Sequence, residues 1–336
     1  MKAIGYGAAD GQTSDKALRI IDVPTPVADG RDILVRVKAT ALNPVDGKIH
    51  NRVTPAPGER QVLGWDAAGV VEAVGADVSG FSVGDEVWYA GAVDRAGCQS
   101  QWQLVDHRVV SHKPRSLDFL QAAAMPLTSI TAWELLFDRF GADKSSAGNL
   151  LVIGAAGGVG SMLIQLAKQL TGLTVIATAS RTESREWVRE LGADFVVDHR
   201  TSLTDELKKL GFGEVDLVAS LTHTEQHLAS IVECIAPQGK LGVIDDPAEL
   251  NIVPFKRKSV SVHWEFMFTR TLFASADIQQ QQRILQQVAA LVDAGRVRST
   301  MAQYLGAMTP ERVTQALADI KTGRSIGKFV LGGLED

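Results

Sequence analysis

Residues 149 to 182 constrain the chain most. The apolar run Leu150 to Ile153 enters the turn Gly154-Ala155-Ala156-Gly157-Gly158-Val159-Gly160. Apolar residues at helical spacing follow at Val159, Leu163, Leu166, Ala167 and Leu170, and a second apolar run, Val175 to Ala177, leads to Ser180 and Arg181. Strand, glycine turn, helix and strand in this order bring backbone amides to a helix N-terminus, where amides and dipole together hold a pyrophosphate. The spacing predicts a dinucleotide-binding unit that meets its ligand at Ala156, Gly157, Gly158 and Val159. In the pattern G-x-G-x-x-G, Ala155 replaces the first glycine while Gly157 and Gly160 match, and Gly154 and Gly158 keep the turn permissive. A glycine-rich turn alone also marks an ordinary tight connection. Here the flanking strands and helix favour binding.

The residues after the second strand bear on the choice of cofactor. A carboxylate there would accept hydrogen bonds from the ribose hydroxyls of NAD, whereas Ser180 and Arg181 offer a hydroxyl and a guanidinium suited to a 2′-phosphate. With no acid at the strand end, NADPH is expected over NADH. The alternative is a solvated arginine in a loop that also holds Glu183, Arg185 and Glu186.

At 336 residues two domains are the default. A net charge of −5 gives no reason to expect nucleic acid or an anionic membrane as partner. Cys98 and Cys234 lie far apart, so neither a disulfide framework nor a structural zinc site can be built from them. No apolar run is long enough to cross a bilayer, and Met1 to Ile4 lacks a signal-peptide core; a cytoplasmic protein is expected.

The first hundred or so residues read as β-rich. Ile33 to Lys38, Ala68 to Val74, Glu86 to Tyr89 and Leu104 to Val110 are the expected strands, with glycine and proline between them and no long amphipathic helix. Helical patterns cover Leu120 to Met125 and Thr128 to Phe140. Strand and helix then alternate from the glycine turn through Gly239 to Ile244, with a further strand over Ser259 to Trp264, predicting a parallel doubly wound sheet. Helices are expected over 278 to 295 and 310 to 321. Lys328 to Leu331 is a last strand returning to the first domain.

Three segments taken together resemble the medium-chain dehydrogenase/reductase superfamily: Gly64-Trp65-Asp66 through Gly75 with Gly84-Asp85-Glu86-Val87; Ala122 through Trp133; and the Gly154 to Gly160 turn with Gln165-Leu166-Ala167-Lys168 and Leu191-Gly192-Ala193-Asp194. The similarity is greatest to the quinone oxidoreductase branch, which includes proteins often labelled zinc-type alcohol dehydrogenase-like. It implies an α/β chain with two domains. A GroES-like irregular β-barrel covers residues 1–124, completed by 270–336, and a Rossmann domain covers 125–269. Relatives pair through an edge strand of the cofactor sheet, which implies a homodimer or higher homo-oligomer, with Ser259 to Trp264 as the candidate edge.

Zinc alcohol dehydrogenases carry cysteine where this chain has Asn43 and Gly-His-Glu where it has Gly64-Trp65-Asp66. Amide and indole do not suit Zn²⁺, so no metal is expected; His50 and His107 are weaker candidates for a stray ion. Without a metal to polarise an alcohol, the expected reaction is hydride delivery from NADPH to a quinone or α,β-unsaturated carbonyl. The resemblance places the Asn43-Pro44-Val45-Asp46 turn at the nicotinamide, with Asn43 orienting ring or substrate; a turn-capping Asn is the alternative. Lys48 stands where relatives commonly have tyrosine and is either a hydrogen-bond or proton donor or a surface lysine. Thr128 is expected at the carboxamide or ribose, or else as the N-cap of the helix after it. His199 matches a tyrosine position near the adenosine. Leu221, Thr222 and Ile244 end strands where open α/β sheets bind ligands. Lys328 belongs to a C-terminal Gly-Lys that helps close the cleft. Trp65, Phe266 and Met267 are the expected substrate contacts, although an aromatic and Met run also suits a core or an interface.

Two other readings are a true zinc alcohol dehydrogenase, which the ligand positions disfavour, and a non-catalytic NADPH-binding protein, as with crystallins and RNA binders of this branch. An acidic chain without stacking aromatics on a basic face argues against RNA.

Overall fold

The computed structural model describes residues 1–7 and 16–335. They divide into two compact units, Met1–Leu127 with Phe268–Asp336, and Thr128–Met267.

The first unit is built on antiparallel strands. The ten-residue strand Asp32–Ala41 pairs with Ala67–Val74, Trp102–Asp106 and Lys328–Gly332. Inward-facing Ile33, Val35, Val37, Val71, Val87 and Val105 form its core. The C-terminal strand does return to this unit, with Val330 opposite Ala41. The expected strand Leu104 to Val110 is broken: Asp106 accepts from the Arg108 backbone N–H at 2.9 Å and caps a short turn, His107–Val109, before Val110–His112.

Where the sequence led us to expect only a turn, the helix Pro44–Arg52 forms. Asn43 is its extended N-cap, Pro44 supplies the fixed φ of the first turn, and Asp46 accepts from the Asn43 backbone N–H at 2.6 Å. Its apolar content is low, so periodicity does not announce it; the capping signal does.

The second unit is a six-stranded parallel sheet in the order Phe195–Val197, Thr174–Thr178, Asn149–Ile153, Val215–Ser220, Ile235–Val243, Ser261–Trp264. The chain starts at a central strand, builds outward on one side, then crosses to the other. The crevice where direction reverses lies beyond Ile153 and Ser220, where such sheets bind ligands. The strands are near-continuous apolar runs, as burial on both faces requires. No helix among the described residues is long and apolar enough to cross a membrane.

Candidate functional site

The glycine turn has the geometry its sequence requires. Gly154 has φ +79°, and a Cβ there would meet the Thr222 side chain at 2.8 Å. Its N–H donates to Thr178 Oγ1 at 3.1 Å. Gly160 is closer packed: a Cβ would lie 2.4 Å from the Ala155 carbonyl oxygen, so only glycine lets the helix approach the turn. Gly157 is the N-cap of the helix Gly158–Leu170 and carries no side chain over the helix end. Ala156, Gly157, Gly158 and Val159 are half-buried, leaving partial access to amides that a helix's first turn cannot bond internally. Leu221, Thr222 and Ile244 are half-buried at the strand ends, with Leu221 N–H donating to Ile153 O at 3.1 Å and Ile244 N–H to Ser220 O at 3.3 Å. These residues fit a dinucleotide.

Ser180 and Arg181 are half-buried beyond Thr174–Thr178. Arg185, on the next helix, is spent on the backbone: its guanidinium donates to Ala179 O at 3.0 Å and Val196 O at 3.2 Å. Arg200, which sequence reasoning did not single out, donates to Ser180 O at 3.3 Å and grips Asp198 at 2.7 Å. That grip, the largest influence on Asp198, pulls its carboxyl down to about 2. His199 is exposed between them.

In the first unit, a buried polar cluster includes Asn43 and Asp66, from the two segments that the resemblance aligns with zinc-ligand segments. Asp46 and Asp66 are fully buried, and Asn43 and Lys328 nearly so. Lys328 Nζ lies 2.8 Å from Asp66 Oδ2 and also donates to Asn43 Oδ1. Asn43 Nδ2 donates to the same Asp66 oxygen at 3.1 Å and to Ala41 O at 3.4 Å. The Leu127 backbone N–H reaches Asp66 Oδ1 at 2.9 Å. Burial raises the pKa of Asp66, and the Lys328 ammonium, the Leu127 amide and the Asn43 amide oppose the rise. Burial takes Asp46 up to about 7, opposed by the Asn43 N–H and by Lys328.

The arrangement does not fit zinc. Trp65 is fully buried, its Nε1–H donates to Ala92 O at 2.9 Å, and its ring meets Phe268 edge-on at 6.5 Å. Indole and amide offer no ligand, and a dication beside the Lys328 ammonium would be repelled. His50 shares a hydrogen bond with Lys16 O at 2.7 Å and His107 one with Arg31 O at 2.9 Å, so each already has a ring nitrogen engaged by backbone. Among the described residues no group of three His, Cys, Asp or Glu is arranged to hold a metal ion.

Several expected contacts are placed differently. Trp65 is a core residue, because its indole is sequestered by Ala92 and Phe268 rather than presented. Met267 is buried, whereas Phe266 is 48% exposed. Lys328 points into its own unit, toward Asp66, rather than outward to a ligand. Thr128 is not an N-cap: the helix begins two residues earlier, at Pro126, and Thr128 lies buried inside it. Asn43 directs both ends of its amide inward. Lys48 is half-buried on Pro44–Arg52, two residues past Asp46. Cys98 is fully buried within 3.0 Å of Thr40 Oγ1, and burial pushes its thiol up to about 12, so it is no nucleophile.

The comparisons agree with this architecture. An alcohol dehydrogenase GroES-like domain matches residues 29–114 and a zinc-binding dehydrogenase domain matches residues 191–331. A zinc-type alcohol dehydrogenase-like protein of Staphylococcus aureus strain MSSA476 is 36% identical over 339 residues, 98% of this chain and 99% of that one. The crystal structure of a protein from Rhizobium etli CFN 42, named for the zinc-dependent alcohol dehydrogenases, superposes with a TM-score of 0.93. It is 48% identical and is matched over 100% of this chain and 99% of that one. The chloroplastic NADPH-dependent alkenal/one oxidoreductase of Arabidopsis thaliana is 39% identical over 220 residues, 62% of this chain and 54% of its own. The chain is therefore an oxidoreductase of the medium-chain dehydrogenase/reductase superfamily, and belongs with its zinc-type alcohol dehydrogenase-like proteins.

Proposed function

We propose that the protein is a zinc-independent, NADPH-dependent reductase of quinones or α,β-unsaturated carbonyls. The observation that carries this reading is the Lys328–Asp66–Asn43 cluster. Asn43, which the resemblance aligns with a zinc-ligating cysteine, is instead bonded to the Lys328 ammonium beside Asp66, a setting that favours no metal to polarise an alcohol, so the acceptor must already be electrophilic. The name of the Arabidopsis relative, an NADPH-dependent alkenal/one oxidoreductase, supports the same direction.

NADPH, when bound, supplies a hydride; the rest of the work falls to the protein. The turn residues Ala156 to Val159 hold the pyrophosphate, and Arg181 with Ser180 holds the 2′-phosphate. Leu221, Thr222 and Ile244 flank the nicotinamide half from the strand ends. Asn43 acts indirectly: its amide is locked by Lys328 and Asp66 and holds the start of Pro44–Arg52 in place, with Lys48 on that helix as the candidate partner for the acceptor oxygen. We place the protein in the cytoplasm as a homo-oligomer.

The test is loss of NADPH absorbance with a panel of quinones and enones, run beside NADP⁺ reduction with primary and secondary alcohols. Turnover of the first set and none of the second is expected. Alcohol oxidation that depends on stoichiometric zinc, counted by elemental mass spectrometry, would overturn the reading.

A further inference from the structure

The helix Thr224–Cys234 is capped from outside its own segment. Its N-cap residue, His223, sits in the left-handed region at φ +53°, with its ring Nδ1 within 2.8 Å of Thr222 Oγ1, and its side chain makes no cap hydrogen bond. The cap comes instead from Asp245, just past the neighbouring strand Ile235–Val243. One carboxylate oxygen accepts from the Thr224 backbone N–H at 2.9 Å and the other from the Thr224 hydroxyl. A carboxylate there meets an amide that the helix cannot bond internally, and the helix dipole favours its charge. Thr224 Oγ1 is also 2.7 Å from Oγ of Ser220, the last residue of Val215–Ser220, and both residues are fully buried. Because the Thr224 hydroxyl spends its proton on the carboxylate, the Ser220 hydroxyl is the donor between the two. A second tie, from the Glu249 N–H to Glu225 Oε1 at 3.1 Å, holds the loop after Val243 against the same helix turn.

The segment Leu221 to His223 hangs between these anchors. Its start is fixed by Ser220 and by the Leu221 N–H on Ile153 O at 3.1 Å, and its end by Thr224. A residue other than glycine keeps a left-handed conformation only where its surroundings over-determine it. The Asp245–Thr224–Ser220 chain supplies that constraint on His223. The Thr222 methyl rests on the glycine turn, since a Cβ at Gly154 would meet it at 2.8 Å. The turn itself is anchored separately, by Gly154 N–H on Thr178 Oγ1 at 3.1 Å and by Gly157 N–H on Gly154 O at 3.2 Å. Breaking the chain therefore frees Leu221 and Thr222 and leaves the turn in place.

We propose that Asp245 and Thr224 are positioning residues: through Ser220 they clamp Leu221 and Thr222 for the nicotinamide half of the dinucleotide, without touching it themselves. A ring that must present its hydride within reach of an acceptor tolerates little drift in the residues beside it. A cap that served only the fold would act on the whole unit, whereas a clamp acts on one half of the ligand. The inference rests on the NADPH reading and deepens it, and the experiment separates the two.

Titration calorimetry of the full chain with NADPH and with adenosine 2′,5′-bisphosphate, its adenine half, supplies the test in wild type, Thr224→Val and Thr224→Ser. Valine keeps the shape of the buried side chain and removes both hydroxyl bonds, whereas serine keeps the bonds. The readout is the ratio of NADPH affinity to bisphosphate affinity, which isolates the nicotinamide half. We expect Thr224→Val to lower that ratio about tenfold, with bisphosphate affinity within about twofold of wild type, and Thr224→Ser to restore it to within about twofold. Equal losses for both ligands, an unchanged ratio, or a ratio that serine does not restore overturns the clamp and leaves NADPH binding standing. A wild type that binds neither ligand overturns the NADPH reading and the clamp with it. Should Thr224→Val fail to fold, Asp245→Ala, at the half-buried end of the chain, gives the same comparison with the same expected fall in the ratio.

Discussion

Two polar clusters of this molecule put a carboxylate–cation pair to opposite ends. In the first unit Asp46, Asp66, Asn43 and Lys328 are sealed from water. In the second, Asp198 and Arg200 stand at a rim, with the Arg200 side chain 66% exposed. Desolvation makes each missing partner in the sealed cluster costly, because an orphaned charge there has no water to fall back on. At the rim the same loss is screened, and its consequence is felt by a ligand more than by the fold. Stability is at stake in the first cluster; on the proposed function, selectivity is at stake in the second.

The sharpest way to break that contrast is Lys328→Met. It leaves the buried Asp66 carboxyl without its ammonium, so Asp66 must either keep an uncompensated charge or take up a proton, and we expect a loss of about 3–5 kcal/mol in urea unfolding. Lys328→Met with Asp66→Asn removes both charges and should recover a substantial part. A single variant as stable as the wild type would show that the pair is not sealed. Arg181→Ala is the rim counterpart. Melting should be nearly unchanged, while NADPH binding weakens by roughly 1.5–3 kcal/mol, the worth of hydrogen bonds between charged groups, and NADH binding changes little. Equal losses for both cofactors would remove Arg181 from phosphate recognition.

Between these lies the glycine turn, where packing rather than charge is at stake. Gly160→Ala puts a Cβ against the Ala155 backbone, and the helix must shift from the turn. We expect a cost of about 1–3 kcal/mol in unfolding and weaker binding of either cofactor alike. Selective loss of NADPH alone would show that the turn reads the 2′-phosphate.

The second unit was legible in the sequence because its signals are local. Apolar runs of strand length, a glycine turn and helical spacing each declare themselves within about fifteen residues, and their alternation implies the parallel sheet. The first unit was legible chiefly by resemblance. Pro44–Arg52 has no apolar stripe, yet Asn43, Pro44 and Asp46 at N-cap, N1 and N3 spell a helix start. The strand Met301–Ala307 went unread because its residues are largely exposed at the sheet edge and do not alternate. No local pattern predicts that Lys328 pairs with Asp66 across 262 positions. Only the fold brings them together, and with them the reason a metal is not accommodated.

The smallest effect probes the sealed cluster by pH. Burial raises Asp46 in the folded protein to about 7 from an ordinary value of 3.8. A carboxyl raised on folding binds its proton more tightly in the native state. Its contribution to stability is therefore complete below the ordinary value and is lost as pH rises through about 7. Asp46→Asn keeps an oxygen for the Asn43 N–H but has no proton to lose. Thermal melts between about pH 5 and about pH 8 should show the wild type losing stability relative to the variant as pH rises, whatever the fixed offset between them. Parallel curves would mean that Asp46 titrates as an ordinary carboxylate, and the sealed cluster would then be wetter than its geometry implies.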